Sequence, residues 1–180
     1  MKINFVLPGN EDVVAGGYKV IYQYANQLIN RGNDVTISFL FSPRFDHSNW
    51  LRTLKFLGTS LGLVHKNKEQ VTWYPLNSSI ALEFNVVTSK QLKDADILVA
   101  TSVETSYFVA KAGASKGRKC YFIQTYETWV AGEDYEDNSF RLGLYNIVIA
   151  TWLQQLVMKK SGLKPPIVPN FLETDFFNPN

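Results

Sequence analysis

The sequence is short of the residues from which metal and thiol sites are built. It contains one cysteine and two histidines in 180 residues. A single cysteine cannot form an internal disulfide framework or a cysteine-rich metal site. Cys120 stands in the apolar run 119–124, so we expect it to be a small buried hydrophobe rather than a nucleophile. Because His47 and His65 have no neighbouring ligand set, we predict no metal site.

The chain also lacks a large net charge and long apolar runs. The 18 basic and 16 acidic side chains give a net charge of +2, which argues against a dedicated nucleic-acid binder. No run approaches the roughly twenty apolar residues of a membrane span, and residues 3–7 are too few for a signal-peptide core. We therefore expect a cytoplasmic protein. Trp50, Phe56 and Leu57 form an apolar stripe among basic residues, which favours a helix that faces the core. The alternative is a helix that contacts the inner face of a membrane peripherally.

Apolar residues are plentiful, at 46% of the chain against 19% charged, so a substantial core can form. Strand-like and helix-like segments alternate along the chain. This alternation predicts an α/β fold of the Rossmann-like, doubly wound kind with a mainly parallel sheet. The predicted strands are residues 2–7, 34–41, 71–76, 80–87, 96–100, 119–125 and 145–150, with a further short strand near residue 167.

Capping and periodicity signals predict the helices between these strands. Residues 18–31 form one helix that ends at Gly32, and Thr101 with Glu104 matches a capping box that opens a helix through residue 111. Shorter helices are predicted after Ser48 and, within residues 129–144, after Asn138. A last helix begins at Thr151, buries Leu153, Leu156 and Val157, and ends at Gly162.

A pair of glycines, Gly16 and Gly17, separates the first strand from the first helix. A glycine turn at a helix start exposes backbone N–H groups that hold phosphate or sugar oxygens. The dinucleotide pattern G-x-G-x-x-G is missing, which disfavours a nicotinamide-binding site. Lys19 lies near the same helix start, where it either contacts an anion or is an ordinary solvated lysine.

Four hydrogen-bonding side chains lie at the carboxyl end of the strand predicted at 119–125, with Trp129 beside them: Gln124, Thr125, Tyr126 and Glu127. Ligands bind at the carboxyl edge of a parallel sheet, so this set suits a sugar subsite better than an ordinary polar loop. Glu127 is alternatively an acid or base, although no partner carboxylate is identifiable. The acidic segment 133–137, which includes Glu136, is expected to be solvated and mobile.

Several strings resemble the amino-terminal domain of family 4 (group 1) retaining glycosyltransferases. The first is Gly16-Gly17-Tyr18-Lys19-Val20 with Ala25, Leu28 and residues 31–35. Residues 121–129, 140–144 and 151–153 resemble the bacterial rhamnosyltransferase-like branch, and residues 167–179 resemble the linker that leaves this domain. Departures are Asn33 and Phe171, which replace a common histidine and glycine, and residues 124–127, where many members have a histidine.

The resemblance implies one half of a GT-B architecture, the arrangement of two Rossmann-like domains facing a cleft. Residues 1–170 would be the acceptor-side domain, and residues 171–180 would be the start of the linker. The partner of this domain would be a donor-binding carboxyl-terminal domain, which would be absent from this chain. The enzyme would move a sugar from a nucleotide-diphosphate sugar to a glycan or lipid-linked acceptor with retention, without a further cofactor, in polysaccharide or cell-surface glycan synthesis. The 180 residues alone would be inactive, because the catalytic residues belong mainly to the other domain.

The resemblance also implies roles for individual residues. Gly16, Gly17 and Lys19 would lie near the donor phosphates, and Tyr18, Gln124, Thr125, Tyr126 and Glu127 would contact the acceptor or the sugar. Two other functions remain open. One is a dinucleotide-dependent sugar-nucleotide enzyme, such as an epimerase or reductase, and the other is a non-catalytic module that binds a glycan or a protein.

Overall fold

The computed structural model describes residues 1–41 and 68–170, and a six-stranded sheet forms the centre of this part of the chain. Every neighbouring pair of strands is parallel, in the order β3-β2-β1-β4-β5-β6. The predicted α/β, Rossmann-like fold is therefore confirmed. The strands are β1 (Lys2–Leu7), β2 (Asp34–Leu40), β3 (Ala81–Val86), β4 (Ile97–Ala100), β5 (Arg118–Ile123) and β6 (Tyr145–Val148).

Within residues 1–41 and 68–170, four α-helices and two short 3-10 turns lie between or after these strands. The helices are α1 (Gly16–Asn30), α2 (Val103–Ala110), α3 (Glu133–Ser139) and α4 (Thr151–Ser161), and the turns are Ser89–Gln91 and Ala114–Lys116. Among the described residues, none of the helices combines the length and apolar character needed to span a membrane.

The sheet carries an apolar core on each face, because successive side chains of a strand point to opposite sides. Ile3, Phe5 and Leu7 of β1 pack on one face, where α1 contributes Ile21 and Tyr22. The opposite face is covered by α2 and α4, with Phe108, Val109, Leu153 and Val157 buried against it. Helices on both faces make the sheet doubly wound. Cys120 is buried as expected, and burial raises the pKa of its thiol, which disfavours the reactive thiolate form.

The helix ends follow the predicted glycines. Gly32 has φ +76° just after α1, and Gly162 has φ +78° at the end of α4, where its N–H donates to the carbonyl oxygen of Met158 at 2.9 Å. Glycine adopts this left-handed conformation without a Cβ clash, so each stops its helix at the predicted place. Lys159 and Lys160 lie in the last turn of α4, where cations complement the helix dipole.

Three local predictions were wrong. Residues 71–76 form no strand, and Trp73 and Tyr74 instead pack against Tyr22 of α1 at ring-centroid distances of 5.4 and 5.6 Å. The cap of α2 is Ser102, one residue later than predicted, because Thr101 uses its hydroxyl to donate to the Val6 carbonyl oxygen of β1.

The third error concerns α3, which begins after Gly132, so the predicted cap Asn138 lies in its last turn instead. The short strand near residue 167 is a single parallel bridge between Ile167 and Val148. The helix predicted after Ser48, the stripe containing Trp50 and the linker 171–180 lie outside the described residues.

Candidate functional site

A cavity of about 560 Å³ opens at the carboxyl edge of the sheet, and we call it the main cavity. It lies where β1, β4, β5 and β6 end and where α1 and α2 begin. The predicted glycine pair and the polar segment after β5 therefore face one shared opening. Its lining residues are Leu7, Pro8, Ala15, Gly16, Gly17, Tyr18, Val20, Thr101, Ser102, Gln124, Thr125, Glu127, Trp129, Ile149 and Asn170.

The glycine pair forms the first turn of α1 and leaves its backbone open. A Cβ added to Gly16 would meet nothing within 4 Å, whereas one added to Gly17 would contact the side chain of Gln124 at 3.6 to 3.9 Å. Gln124 Nε2 donates to the carbonyl oxygen of Gly17 at 3.2 Å, which joins the two predicted segments directly. The residue before the helix, Ala15, provides no side-chain cap, and the first turn contains no acidic residue.

Two neighbours of the glycines are placed differently from each other. Tyr18 lines the main cavity, and its hydroxyl donates to the Gly9 carbonyl oxygen at 2.8 Å, so it fastens the loop after β1 to α1. Lys19 is half-buried in the first turns of α1 and is not among the lining residues of the main cavity. The proximity of Lys19 to donor phosphates stays a prediction.

Glu127 is the carboxylate that borders the main cavity. Its Oε2 accepts a hydrogen bond from the Val103 N–H at 2.7 Å, so it caps the start of α2 together with Ser102. Its Oε1 makes no hydrogen bond within the described residues. Burial raises the pKa of Glu127, and the bond from Val103 opposes this shift because it favours the charged form.

Trp129 provides an aromatic surface beside this carboxylate. Its side chain is 67% exposed, and together with Glu127 and Tyr18 it also lines a second cavity of about 250 Å³ next to the main cavity. An indole face that water reaches, next to hydrogen-bonding side chains, matches the needs of a ligand with both an apolar face and hydroxyl groups.

The structure does not bring Tyr126 to the main cavity. Its hydroxyl donates to Asp137 Oδ1 of α3 at 2.8 Å, and its ring stacks on Phe140 at 6.3 Å. Desolvation and the bond to Asp137 both raise the pKa of Tyr126. Of the five side chains predicted to contact acceptor or sugar, Tyr18, Gln124, Thr125 and Glu127 line the cavity, and Tyr126 fastens α3 instead.

Glu136 overturns the prediction of a solvated acidic segment. It belongs to α3, is 0% exposed, and neither carboxyl oxygen has a hydrogen-bond partner among the described residues. Burial, reinforced by the charge of Glu127, raises the pKa of Glu136 to about 8. The missed signal is helical spacing, since Glu136 precedes the buried Ser139 and Phe140 by three and four residues.

The outer side of α3 is the solvated part of this segment. Lys160 of α4 contacts Glu133 Oε1 at 2.8 Å and Asp137 Oδ2 at 2.6 Å. Across residues 1–41 and 68–170, no group of three or more histidine, cysteine or carboxylate side chains is arranged to hold a metal ion.

No protein-family model matches the chain, and no curated protein matches it at a significant level.

Proposed function

We propose that the chain is the acceptor-side domain of a retaining glycosyltransferase of the two-domain GT-B type. It would help to move a sugar from a nucleotide-diphosphate sugar to a glycan or lipid-linked acceptor, in polysaccharide or cell-surface glycan synthesis. The observation that carries the proposal is the main cavity, where the open start of α1 meets Gln124, Glu127 and Trp129. The rest of the active site would come from a donor-binding domain joined after residue 170.

The polar and aromatic lining supports a sugar ligand. Glu127 Oε1 is available as an acceptor, and the Gln124 and Thr125 side chains lie on the same rim. Sugars are recognised by such hydrogen bonds to their hydroxyls and by an aromatic face against their C–H surface. Trp129 supplies that face at the mouth of the cavity.

The two helix starts support a division of the cavity by charge. The start of α1 has no side-chain cap and no acidic residue, so its positive dipole end suits the diphosphate of a donor near Gly16 and Gly17. The start of α2 is already occupied by the Glu127 carboxylate, which repels an anion and attracts hydroxyl groups. An acceptor would then lie on the α2 side and a donor on the α1 side.

In the reaction that we propose, an acceptor oxygen forms the new bond to the donor's anomeric carbon. The bond from that carbon to the diphosphate breaks, the diphosphate takes the electron pair, and the acceptor hydroxyl gives its proton to an oxygen of the departing diphosphate. Positioning of the two substrates and stabilisation of the departing charge provide the rate enhancement. By itself this chain is expected to transfer no sugar, and turnover with any nucleotide sugar would contradict this division of labour.

Binding of saccharides to the chain tests the proposal. We expect rhamnose- and glucose-containing oligosaccharides at millimolar concentration to shift the backbone NMR signals of Gly17, Gln124 and Glu127, and to leave the remote Gly113 unchanged. Replacing Trp129 with alanine should weaken binding by about tenfold, because the stacking surface is lost. The matched control is Trp152→Ala on α4, where the indole is 54% exposed and lies outside the lining of the main cavity.

The same experiment separates the alternatives. The strand order β3-β2-β1-β4-β5-β6 is also that of dinucleotide-binding domains, which favours a nicotinamide-dependent enzyme as the second candidate. NADH that shifts the signals at Gly16 and Gly17 in the absence of any saccharide response would favour that candidate. Equal losses of saccharide affinity in the Trp129 and Trp152 variants would contradict the proposed subsite.

A further inference from the structure

Glu136 of α3 is a fully buried carboxyl group close enough to Glu127, which lines the main cavity, for the charge of Glu127 to raise its pKa. The Glu127 N–H and the Tyr121 side chain face this carboxyl, yet neither of its oxygens is within hydrogen-bond geometry of a partner in the described chain. Burial removes water from this carboxyl group and disfavours its charged form, and the Glu127 N–H and the Tyr121 side chain oppose that effect only in part. A buried carboxylic acid is far less costly, because it carries no charge.

The path of the chain fixes Glu136 against Glu127. After Glu127 the backbone turns twice, with Val130 N–H donating to the Glu127 carbonyl oxygen at 3.0 Å and Gly132 N–H donating to that of Thr128 at 2.9 Å. Helix α3 then runs back past the turn. The Tyr107 ring of α2 stacks on Tyr135 at 4.3 Å, and its hydroxyl donates to the Tyr135 carbonyl oxygen at 2.8 Å, which holds α3 in place.

No cation among the described residues compensates the two carboxyl groups. The groups that face Glu136 are Glu127, Tyr121 of β5, Tyr107 of α2 and Asp137 of α3 itself, and all are neutral or negative. The nearby Lys160 is engaged on the outer side of α3 with Glu133 and Asp137. Two neighbouring carboxyl groups in this situation cannot both be ionised easily, so the pair retains one proton.

The surroundings decide which member keeps the proton. Glu127 accepts the hydrogen bond of Val103 at the positive start of α2 and borders the open cavity, and both features favour its charged form. Glu136 is fully buried and does not line the cavity, and the Glu127 N–H and the Tyr121 side chain beside it offset the effect of burial only in part. The proton therefore belongs to Glu136 at neutral pH, and the negative charge belongs to Glu127.

We propose that Glu136 is a positioning residue for the main cavity: as a neutral acid it keeps Glu127 the ionised member of the pair, aimed to accept a hydrogen bond from a ligand hydroxyl. The proposal depends on the proposed function only for the identity of that ligand as a sugar. Ionisation of Glu136 at alkaline pH places a second charge beside Glu127 and disturbs its bond to Val103.

The test follows the Val103 amide proton and the carboxyl carbons of Glu127 and Glu136 by NMR between pH 4 and 10. In the unmodified chain we expect the Val103 amide to respond in two steps, an acid step from Glu127 and a second step near pH 8 from Glu136. Glu136→Gln mimics the neutral acid, so it should abolish the second step and preserve the first. Glu133→Gln, on the exposed side of the same helix, should preserve both.

A second variant makes the test independent of how well the first one folds. Glu127→Gln removes the neighbouring charge, so the Glu136 midpoint should fall by roughly half a pH unit or more, as coupled titration requires. A Val103 amide that shows no alkaline step, a step that persists in Glu136→Gln, or a Glu136 midpoint unmoved by Glu127→Gln would each overturn the proposal. No sugar is present in these titrations, so their failure leaves saccharide binding intact, and a failure of saccharide binding leaves the carboxyl pair intact.

Discussion

Replacing Gly117 with alanine is expected to destabilise the protein more than any other glycine-to-alanine change in the described chain. Gly117 has φ +90° and ψ −172°, a backbone region that is almost exclusive to glycine. An added Cβ would lie 2.5 Å from the Ala95 carbonyl oxygen and from the carbonyl atoms of Asp96. These are backbone atoms, and the neighbouring Arg118 N–H donates to the same Asp96 oxygen at 2.8 Å, so the chain cannot move aside cheaply.

We expect a loss of about 2 to 5 kcal/mol in the free energy of unfolding, from backbone strain and atomic overlap together. Urea denaturation followed by circular dichroism measures this directly. Gly113→Ala is the matched control, because Gly113 has φ −68° and a Cβ there meets nothing within 4 Å. Its effect should stay within about 1 kcal/mol in either direction. Similar denaturation midpoints for the two variants would show that a Cβ at residue 117 does not strain the backbone or clash with Ala95 and Asp96.

Glu136→Gln is expected to change the dependence of stability on pH. The pKa of Glu136 is about 8 in the folded protein, against an ordinary value of 4.5. Between these values the folded state binds one proton more than the unfolded state, so rising pH destabilises the unmodified protein by up to about 1.4 kcal/mol per pH unit. The loss is complete above about pH 8. Glutamine cannot ionise, so the variant lacks this slope.

The two proteins should therefore have similar stability near pH 5, and the variant should be the more stable one at pH 8 by several kcal/mol. Thermal or urea unfolding across this range gives the comparison. Glu133→Gln is the control for losing an acidic residue from α3, and its stability curve should run parallel to that of the unmodified protein. A parallel curve for Glu136→Gln as well would mean that Glu136 is not a buried neutral acid.

The sheet was predictable because its strands are compact apolar runs with turn residues between them. The run 2–7 coincides with β1, and the starts and ends of the other strands lie within two residues of their predicted places. The segment 71–76 has the same composition, but Trp73 and Tyr74 pack on Tyr22 rather than pair with a strand. Composition alone cannot tell whether an apolar segment packs against a helix or pairs with a strand of the sheet.

The candidate site was predictable to the extent that it follows from the sheet edge. Gly16, Gly17, Gln124 and Glu127 follow parallel strands, so the topology brings them to one rim. The orientation of Tyr126 and the burial of Glu136 depend on how α3 folds back over the turn after Glu127. That return is a tertiary contact between α2 and α3. The spacing of Glu136 before Ser139 and Phe140 indicates which face of α3 is buried, but not where the helix packs.

Residues 166–170 are fastened to β6 and to α1 beside the main cavity. Two hydrogen bonds join Val148 to the 166–168 segment, and Tyr24 of α1 donates to the Pro169 carbonyl oxygen at 2.8 Å. Asn170, the next residue, lines the main cavity. The exit point is thus clamped beside the ligand opening rather than carried on a free tether. If the proposed donor-binding domain follows residue 170, its rotation about this point would widen or narrow the main cavity.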